Sequence, residues 1–385
     1  MRAMDPSIID HWCEQIRTAA AGGQRLRLQG AGSKNFHGAP LGDAQVLATP
    51  ALSGILSYEP SELVLRAYCG TPLVEVQAAL AERGQYLPFE PPHFGPGATV
   101  GGMVAAGLSG PARASAGAVR DYILGASLIN GRGQHLSFGG QVMKNVAGYD
   151  LSRLMAGSWG TLGLITEVSL KVLPMAPGQA TLACTGLTQG AALDLLHHWG
   201  RQSLPLNASA WLHDQTANPA QDFLFIRLRG AQAAVESAIV GMGGDASARG
   251  AQVSLLDAAQ AEADWLASGE QTLPFFQPPS EDLCLWRLSL PQTTPALSLP
   301  YPQYIEWHGA QRWLWAPATA AAELRAASAR AGGHASLFRA SRAGGERDKA
   351  QGVFSPLTGA QQRVSRELQK QLDPAGVFNT GRLEL

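Results

Sequence analysis

Residues 97–102 read Gly-Ala-Thr-Val-Gly-Gly, residues 107–110 read Gly-Leu-Ser-Gly, and residues 157–166 read Gly-Ser-Trp-Gly-Thr-Leu-Gly-Leu-Ile-Thr. Glycine adopts positive φ values and lets the backbone approach a ligand closely. Successive N–H groups in such turns form anion sites without any lysine or arginine. Because these glycines fall in several separate loops, they indicate a ligand that is large, flat and phosphorylated.

A further glycine loop lies nearer the N-terminus. Residues 25–29 alternate polar and apolar side chains, which predicts a strand, and the strand runs into Gly30-Ala31-Gly32-Ser33-Lys34. This loop lacks the third glycine of a Rossmann fingerprint and the Gly-Lys-Ser/Thr of a Walker loop. Taken alone, it is either a phosphate cradle of another class or an ordinary turn.

Together these motifs resemble the FAD-binding domain of the vanillyl-alcohol oxidase family, also called the PCMH type. That family reads Thr-x-Gly-Gly, small-x-Ser-Gly, Arg-Asp before a hairpin, and Gly-x-x-Gly-x-Ile-Thr. The matching positions here are 99–102, 107–110, Arg120-Asp121 and 160–166. Residues 144–150 (Lys-Asn-Val-Ala-Gly-Tyr-Asp) and 378–382 (Phe-Asn-Thr-Gly-Arg) are similar to a narrower group, the FAD-binding E subunits of bacterial glycolate oxidase.

The resemblance implies an α+β fold. Residues 1–175 are expected to form the PCMH-type FAD-binding domain, built from two α/β subdomains. The break at Pro174 to Gln179 starts a second domain, 176–350, whose predicted βαββαβ order favours a ferredoxin-like antiparallel sheet acting as a cap. Residues 351–385 are expected to form a helix and a tail that returns to the FAD domain. Within the first domain, residues 52–56 are expected to form a short helix.

The resemblance also implies the cofactor site. Backbone N–H groups at the start of the helix predicted from Thr99 are expected to face pyrophosphate oxygens. The amide of Ile165 is expected near the adenine or ribose end. The residues assigned to FAD are Gly30, Ala31, Gly32, Ser33, Lys34, Gly97, Thr99, Gly101, Gly102, Gly107, Ser109, Gly110, Gly117, Asp121, Lys144, Tyr149, Gly163, Ile165, Thr166 and Asn379.

Covalent flavin links in this family use a histidine in the first loop, sometimes with a cysteine near the second. Ser33 stands at the corresponding position, and no cysteine lies between residues 85 and 110. Non-covalent FAD is therefore the expectation, and no metal site is assigned.

Composition excludes several classes of function. With 29 basic and 30 acidic residues the net charge is −1, which does not suggest nucleic acid or an anionic membrane surface as a partner. The N-terminal residues lack the apolar core of a signal peptide, and no run of about 18 apolar residues could span a bilayer. The four cysteines are isolated, so the chain alone is not expected to hold an iron–sulfur cluster. We expect a cytoplasmic protein, with any membrane association provided by partner subunits.

The chemistry implied by the family is oxidation of a small hydroxy acid, which needs a base for the hydroxyl proton and a cation for the carboxylate. Catalytic relatives carry a histidine cluster that binds a divalent metal. The histidines of the second domain contain no His-x-His pair beside an acidic residue. The weak candidates for a catalytic role that remain are His308, Arg312 and Arg339.

By resemblance, glycolate oxidase has a D-type subunit with FAD and the metal-binding histidines, an F-type iron–sulfur subunit, and a further FAD-binding subunit. The present chain is predicted to be the last of these, relaying electrons as glycolate is oxidised to glyoxylate. Two alternatives are a self-sufficient FAD-dependent 2-hydroxy-acid dehydrogenase and a flavin-free scaffold subunit. The intact glycine loops argue against the scaffold.

Overall fold

The computed structural model describes residues 7–140 and 151–384. These residues fall into two compact units. The described residues of unit 1 lie within Met1–Ser109, Ala118–Met175 and Pro356–Leu385, and those of unit 2 lie within Gly110–Gly117 and Ala176–Ser355. The short segment 110–117 therefore leaves the glycine-rich region to join unit 2.

The helices and strands are numbered in chain order. The strands are β1 (Leu26–Gln29), β2 (Gln45–Ala48), β3 (Ile55–Glu59), β4 (Val64–Tyr68), β5 (Gln85–Tyr86), β6 (Ile123–Ile129), β7 (His135–Gly139), β8 (Leu164–Lys171), β9 (Leu173–Pro174), β10 (Gly178–Thr185), β11 (Leu206–Asp214), β12 (Gln221–Gly230), β13 (Gln252–Leu255), β14 (Cys284–Ser289), β15 (Gln303–Glu306), β16 (Gln311–Ala316) and β17 (His334–Arg339). The α-helices are α1 (Ser7–Ala21), α2 (Leu73–Ala81), α3 (Val100–Ala106), α4 (Arg113–Ala116), α5 (Leu151–Leu154), α6 (Gln189–Trp199), α7 (Gln232–Ser247), α8 (Ala258–Gly269), α9 (Ala321–Arg330) and α10 (Gly359–Leu372).

Unit 1 is built on two main sheets. Strands β1 and β2 pair in parallel, and β3-β4-β8-β6-β7 form a five-stranded antiparallel sheet. Helix α2 buries Leu73, Val76 and Leu80, whose spacing places them on one helical face. They join an apolar core that includes Leu26 of β1 and Val168 of β8. This core fixes the loop that follows β1 and the start of α3.

The short helix expected at residues 52–56 is wrong. Ile55 instead begins strand β3, in which Tyr58 lies opposite Leu65 of β4. So short a segment cannot support a helix in isolation, whereas an antiparallel ladder with β4 satisfies its backbone groups. The apolar residues of this segment do not show by themselves that their backbone pairs with β4.

Unit 2 contains an eight-stranded antiparallel sheet in the order β13-β10-β12-β11-β15-β16-β14-β17. The first four of these strands, with α6 and α7, follow the predicted βαββαβ sequence in the strand order of a ferredoxin-like fold, which confirms the expected fold class. Leu193 and Leu196 of α6 and Val235 of α7 pack in one apolar cluster with this half of the sheet. The other half packs in a separate cluster with α9, which contributes Leu324.

Within residues 7–140 and 151–384, no helix combines the length and apolarity needed to cross a bilayer. The four cysteines are buried and carry no disulfide. Burial raises the pKa of the Cys69 thiol to about 12, so this thiol is an inert part of the core.

Candidate functional site

A cleft in unit 1 brings together segments that are distant in sequence. Its wall consists of the loop after β1, the first turns of α3, the glycine segment before β8 and the segment after α10. Its lining includes the predicted residues Gly30, Ala31, Gly32, Ser33, Lys34, Thr99, Gly101, Gly102, Gly163, Ile165 and Asn379.

The loop after β1 presents backbone donors. Gly32 has a φ of 77°, which favours glycine. A Cβ at Gly30 would collide with Thr99 Oγ1 of the neighbouring loop, so only glycine lets the two loops approach this closely. Within the described part of the chain, the N–H groups of Ala31, Gly32 and Ser33 have no hydrogen-bond acceptor. Adjacent N–H groups in such a turn suit a phosphate.

The backbone N–H groups at the start of α3, which were expected to face a pyrophosphate, donate to protein atoms instead. Thr99 caps the helix through a 3.2 Å bond from Gly102 N–H to its Oγ1. The N–H of Val100 donates to Thr71 O at 2.9 Å, and that of Gly101 donates to Cys69 O at 2.7 Å. Because protein atoms already accept from these groups, the expectation that they face a pyrophosphate is wrong. The cleft wall still includes Gly101 and Gly102.

Three cationic side chains line the cleft, and its described lining contains no aspartate or glutamate. Lys34 is 8% exposed and donates from Nζ to His93 O at 3.1 Å. Arg27 has a buried Nε that finds no acceptor among the described residues. Arg382 is held by bonds to backbone oxygens and lies 5.7 Å over the Trp159 ring. This surplus of positive charge suits a diphosphate.

The segment after α10 closes one side of the cleft. Asn379 Oδ1 accepts from Leu28 N–H at 3.0 Å, and Asn379 Nδ2 donates to Trp159 O at 2.6 Å. Gly160 has a φ of 72°, and a Cβ there would lie 2.6 Å from Asn379 Nδ2. One side chain thus ties β1 to the glycine segment before β8.

The other predicted FAD residues that the structure describes do not line this cleft. Thr166 is buried, and its Oγ1 lies 2.9 Å from His135 Nε2. Asp121 accepts from Ala118 N–H at 2.8 Å. Gly97, Gly107 and Ser109 are in unit 1 outside the lining, Gly110 and Gly117 belong to unit 2, and Lys144 and Tyr149 lie outside the described residues.

The lining also contains residues that were not predicted as site residues, among them Arg27, Trp159 and Arg382. Arg27 lies on the predicted strand that leads into the glycine loop, so the sequence contains a signal for it. Trp159 and Arg382 stand inside quoted motifs. Their roles depend on contacts between segments more than two hundred residues apart, which periodicity does not show.

The weak catalytic candidates lie in unit 2, and each is engaged by neighbouring protein groups. His308 lies between Ser209 Oγ and Ser115 Oγ, each 2.9 Å from a ring nitrogen, and burial lowers its pKa from 6.5 to about 4. Arg312 is fully buried and donates to Thr294 O at 2.6 Å. Arg339 donates twice to Gln271 Oε1. Among the described residues, no group of three or more His, Cys, Asp and Glu side chains could hold a metal ion.

Comparisons with known proteins also indicate FAD as the ligand of unit 1. A family model described as an FAD binding domain matches residues 4–139. The solved structure of an alkyldihydroxyacetonephosphate synthase superposes with a TM-score of 0.67 at 14% identity, covering 95% of this chain and 74% of that one, which shows a shared fold. Fold and cleft together define an FAD-dependent oxidoreductase of the PCMH type.

Similar proteins of known name show to which family within this class the chain belongs. The glycolate oxidase subunit GlcE of Escherichia coli (strain K12) is 42% identical over 370 residues, which span 96% of this chain and 95% of that protein. The chain therefore belongs to the GlcE family of glycolate oxidase subunits. A D-lactate dehydrogenase of Archaeoglobus fulgidus is 31% identical over 181 residues, or 46% of this chain and 40% of the relative. The glycolate oxidase subunit GlcD of Bacillus subtilis (strain 168) is 31% identical over 137 residues, or 36% and 29% of the two chains.

Proposed function

We propose that the chain is the electron-relaying FAD subunit of a glycolate oxidase, a complex that oxidises glycolate to glyoxylate. It would receive electrons from a D-type FAD subunit and pass them to an F-type iron–sulfur subunit. The observation that carries the proposal is the match to GlcE along almost the whole chain. We place the chain in the cytoplasm, with any membrane association made through its partners.

The cations and the glycine-loop donors of the cleft support FAD as its ligand. FAD, when bound, supplies the acceptor for two electrons, while the protein supplies binding and orientation. The donors of Ala31, Gly32 and Ser33 would hold phosphate oxygens, and Lys34 and Arg382 would balance the negative charge. Because the first loop carries Ser33 where covalent relatives carry histidine, we propose that FAD is held without a covalent bond.

Unit 2 supports a relay more than an independent dehydrogenase. His308 is held between two hydroxyl groups, and its low pKa keeps the ring neutral at physiological pH. Arg312 donates to Thr294 O and Arg339 donates to Gln271 Oε1, while one buried nitrogen of Arg312, Nη1, has no acceptor among the described residues. The contacts of His308 and Arg339 within unit 2 account for these two side chains without a substrate.

A self-sufficient 2-hydroxy-acid dehydrogenase is the second candidate. Partial similarity to D-lactate dehydrogenases favours it, although the matched region spans less than half of either chain. A flavin-free scaffold is disfavoured, because the cation-lined glycine cleft would have no use in such a protein.

The deciding experiment is an absorption spectrum of the purified chain, recorded under nitrogen before and after glycolate is added. Flavin bands that bleach only after a D-type partner is supplied would support the relay. Bleaching by glycolate alone would establish the self-sufficient dehydrogenase instead. A chain that shows no flavin bands after incubation with FAD would support the scaffold.

A further inference from the structure

Unit 2 contains a second, larger cavity that the proposed electron relay does not use. It has a volume of about 560 Å³ and lies against one face of the eight-stranded sheet. Strands β11, β12, β15 and β16 contribute its floor, and α8 with residues 273–283 contributes its wall. Volumes of about 300–1,000 Å³ are typical of sites for small molecules.

Aromatic rings dominate the inner surface of this cavity. The rings belong to Phe225, Trp265, Phe275, Tyr301, Tyr304 and Trp315. The Phe275 and Tyr304 ring centroids are 5.4 Å apart, so these rings also support each other. A wall of packed rings is preformed and offers flat apolar contact area.

The polar tips of these rings already have protein partners. Trp265 Nε1 donates to Thr181 Oγ1 at 3.0 Å, and Trp315 Nε1 donates to Phe275 O at 2.7 Å. The Tyr304 hydroxyl lies 2.9 Å from Ser268 Oγ. The rings therefore present carbon faces to the cavity, and a ligand deep inside it needs no matching charge.

The rim of the cavity is polar. His213, Gln215 and Thr216 are exposed there, which gives access from solvent. His213 Nδ1 lies 2.8 Å from Asp222 Oδ1, so its other ring nitrogen remains for a ligand group at the mouth. Asp214 Oδ1 accepts from both N–H and Oγ1 of Thr216, which orders the turn.

The charge of this cavity is opposite to that of the cleft in unit 1. Its described lining contains Asp214 and Asp264 but no lysine or arginine. An anion such as a 2-hydroxy acid or a nucleotide would meet carboxylates without a compensating cation. Charge thus disfavours the substrate and the cofactor of the proposed function as occupants.

We propose that this cavity is a binding site for an uncharged, flat aromatic molecule that carries one hydrogen-bonding group. The aromatic body lies among Trp265, Phe275 and Tyr304, and the polar group reaches His213 at the rim. The site goes beyond the electron relay and stands even if that relay is disproved.

The test uses the FAD-loaded full chain and Nile red, a neutral aromatic dye whose emission shifts in apolar surroundings. Saturable binding with one dye per chain is expected. Anilinonaphthalene sulfonate, an aromatic anion, should bind more weakly. Failure of Nile red to saturate, or tighter binding of the sulfonate than of Nile red, would overturn the proposal without any variant being needed.

A substitution that fills the cavity tests whether Nile red binds there. Ala261 on α8 lines the cavity and is 3% exposed, whereas Ala259 on the same helix is exposed and lies outside the lining. Ala261→Phe should weaken Nile red binding by about tenfold or more, and the matched Ala259→Phe should leave it unchanged. Ala210→Leu, which fills the cavity from β11, replaces Ala261→Phe if that variant does not fold. A folded filling variant that binds Nile red like the wild type would show that the dye lies elsewhere, and the proposal would be wrong.

Discussion

Asn379 donates a 2.6 Å hydrogen bond from its side-chain amide to the carbonyl oxygen of Trp159, a residue 220 positions earlier in the chain. The same side chain accepts from Leu28 N–H at 3.0 Å. These two bonds hold the segment after α10 against both the strand that leads into the first glycine loop and the glycine segment before β8. The cleft wall therefore depends on one amide that lies far from either partner in sequence.

Asn379→Ala should weaken FAD binding. Loss of the side chain leaves the N–H of Leu28 and the carbonyl of Trp159, both half-buried, without their partner, which costs up to about 1–3 kcal/mol in total. We expect the Kd for FAD, measured by flavin fluorescence quenching, to rise by about tenfold or more. Thr380→Val is the control, because the Thr380 hydroxyl donates to the nearby Gly376 O and not to β1 or the glycine segment before β8 as the structure describes them. Equal losses of affinity in both variants would contradict a specific role for Asn379.

Two adjacent glycines of α3 should respond differently to valine. A Cβ at Gly101 would lie 2.7 Å from Cys69 Cβ in the core, whereas at Gly102 the nearest atom is Thr99 Oγ1 at 3.1 Å. Gly102→Val should fold but lose flavin, because its side chain enters the cleft. Gly101→Val should lower Tm markedly, because the core beside Cys69 is overpacked. Far-ultraviolet circular dichroism and flavin content distinguish the two effects. A Gly102→Val protein that retains full FAD occupancy would refute the placement of FAD in this cleft.

Lys34 should matter for the phosphates more than for the flavin ring. Lys34→Met keeps an apolar stem of similar length but removes the charge from a nearly buried position. The Kd for FAD should rise by about tenfold, since a charge-assisted hydrogen bond contributes about 1.5–3 kcal/mol. Riboflavin, which lacks phosphate, should bind both proteins alike. Lys370→Met on α10, which removes an exposed lysine, provides the control. If riboflavin affinity falls as much as FAD affinity, Lys34 has a structural role instead.

His308 should make unit 2 sensitive to acid. Burial lowers its pKa in the folded protein to about 4, below the ordinary value of 6.5. The unfolded chain therefore takes up a proton first as the pH falls, and stability that is fully present above pH 6.5 is lost progressively toward pH 4. His308→Asn should flatten this part of the profile, and asparagine tolerates the left-handed φ of 56° found at this position. Urea unfolding at several pH values measures the effect.

The control for this prediction is His11→Asn, which replaces an exposed histidine on α1. It should leave the pH profile unchanged. A His308→Asn protein that loses stability with acid as steeply as the wild type would exclude His308 as the titrating group.

The sequence predicted correctly those strands, helices and turns whose conformation depends on neighbouring residues. The alternating residues before Gly30 form β1, and the βαββαβ pattern after residue 178 folds in the expected strand order. Both follow from periodicity and from the positions of glycine. The first glycine loop lines the cleft for the same reason, because few other residues allow such a turn beside Thr99.

Pairings between distant segments were not predictable in this way. Residues 110–117 join unit 2 through contacts such as the bond from Trp307 Nε1 to Gly110 O, 197 positions apart. Even the neighbouring pair β3 and β4 was missed at residues 55 and 56, which were assigned to a helix. The donors of α3 are taken by Thr71 and Cys69, whose approach depends on the packed core. A single sequence does not show which carbonyl oxygen in the folded protein will accept a hydrogen bond from a given N–H group.

The cleft begins at Arg27 and is finished by Arg382, so its wall is assembled from nearly the first and the last described residues. During translation, the bonds that join β1, Trp159 and the segment after α10 cannot form until residues 379–382 have emerged from the ribosome. Cofactor loading should accordingly wait until residues 379–382 have left the ribosome, and translation products truncated before this segment should accumulate without flavin. For the same reason, a purification tag fused immediately after this segment would disturb the pocket more than one placed ahead of α1.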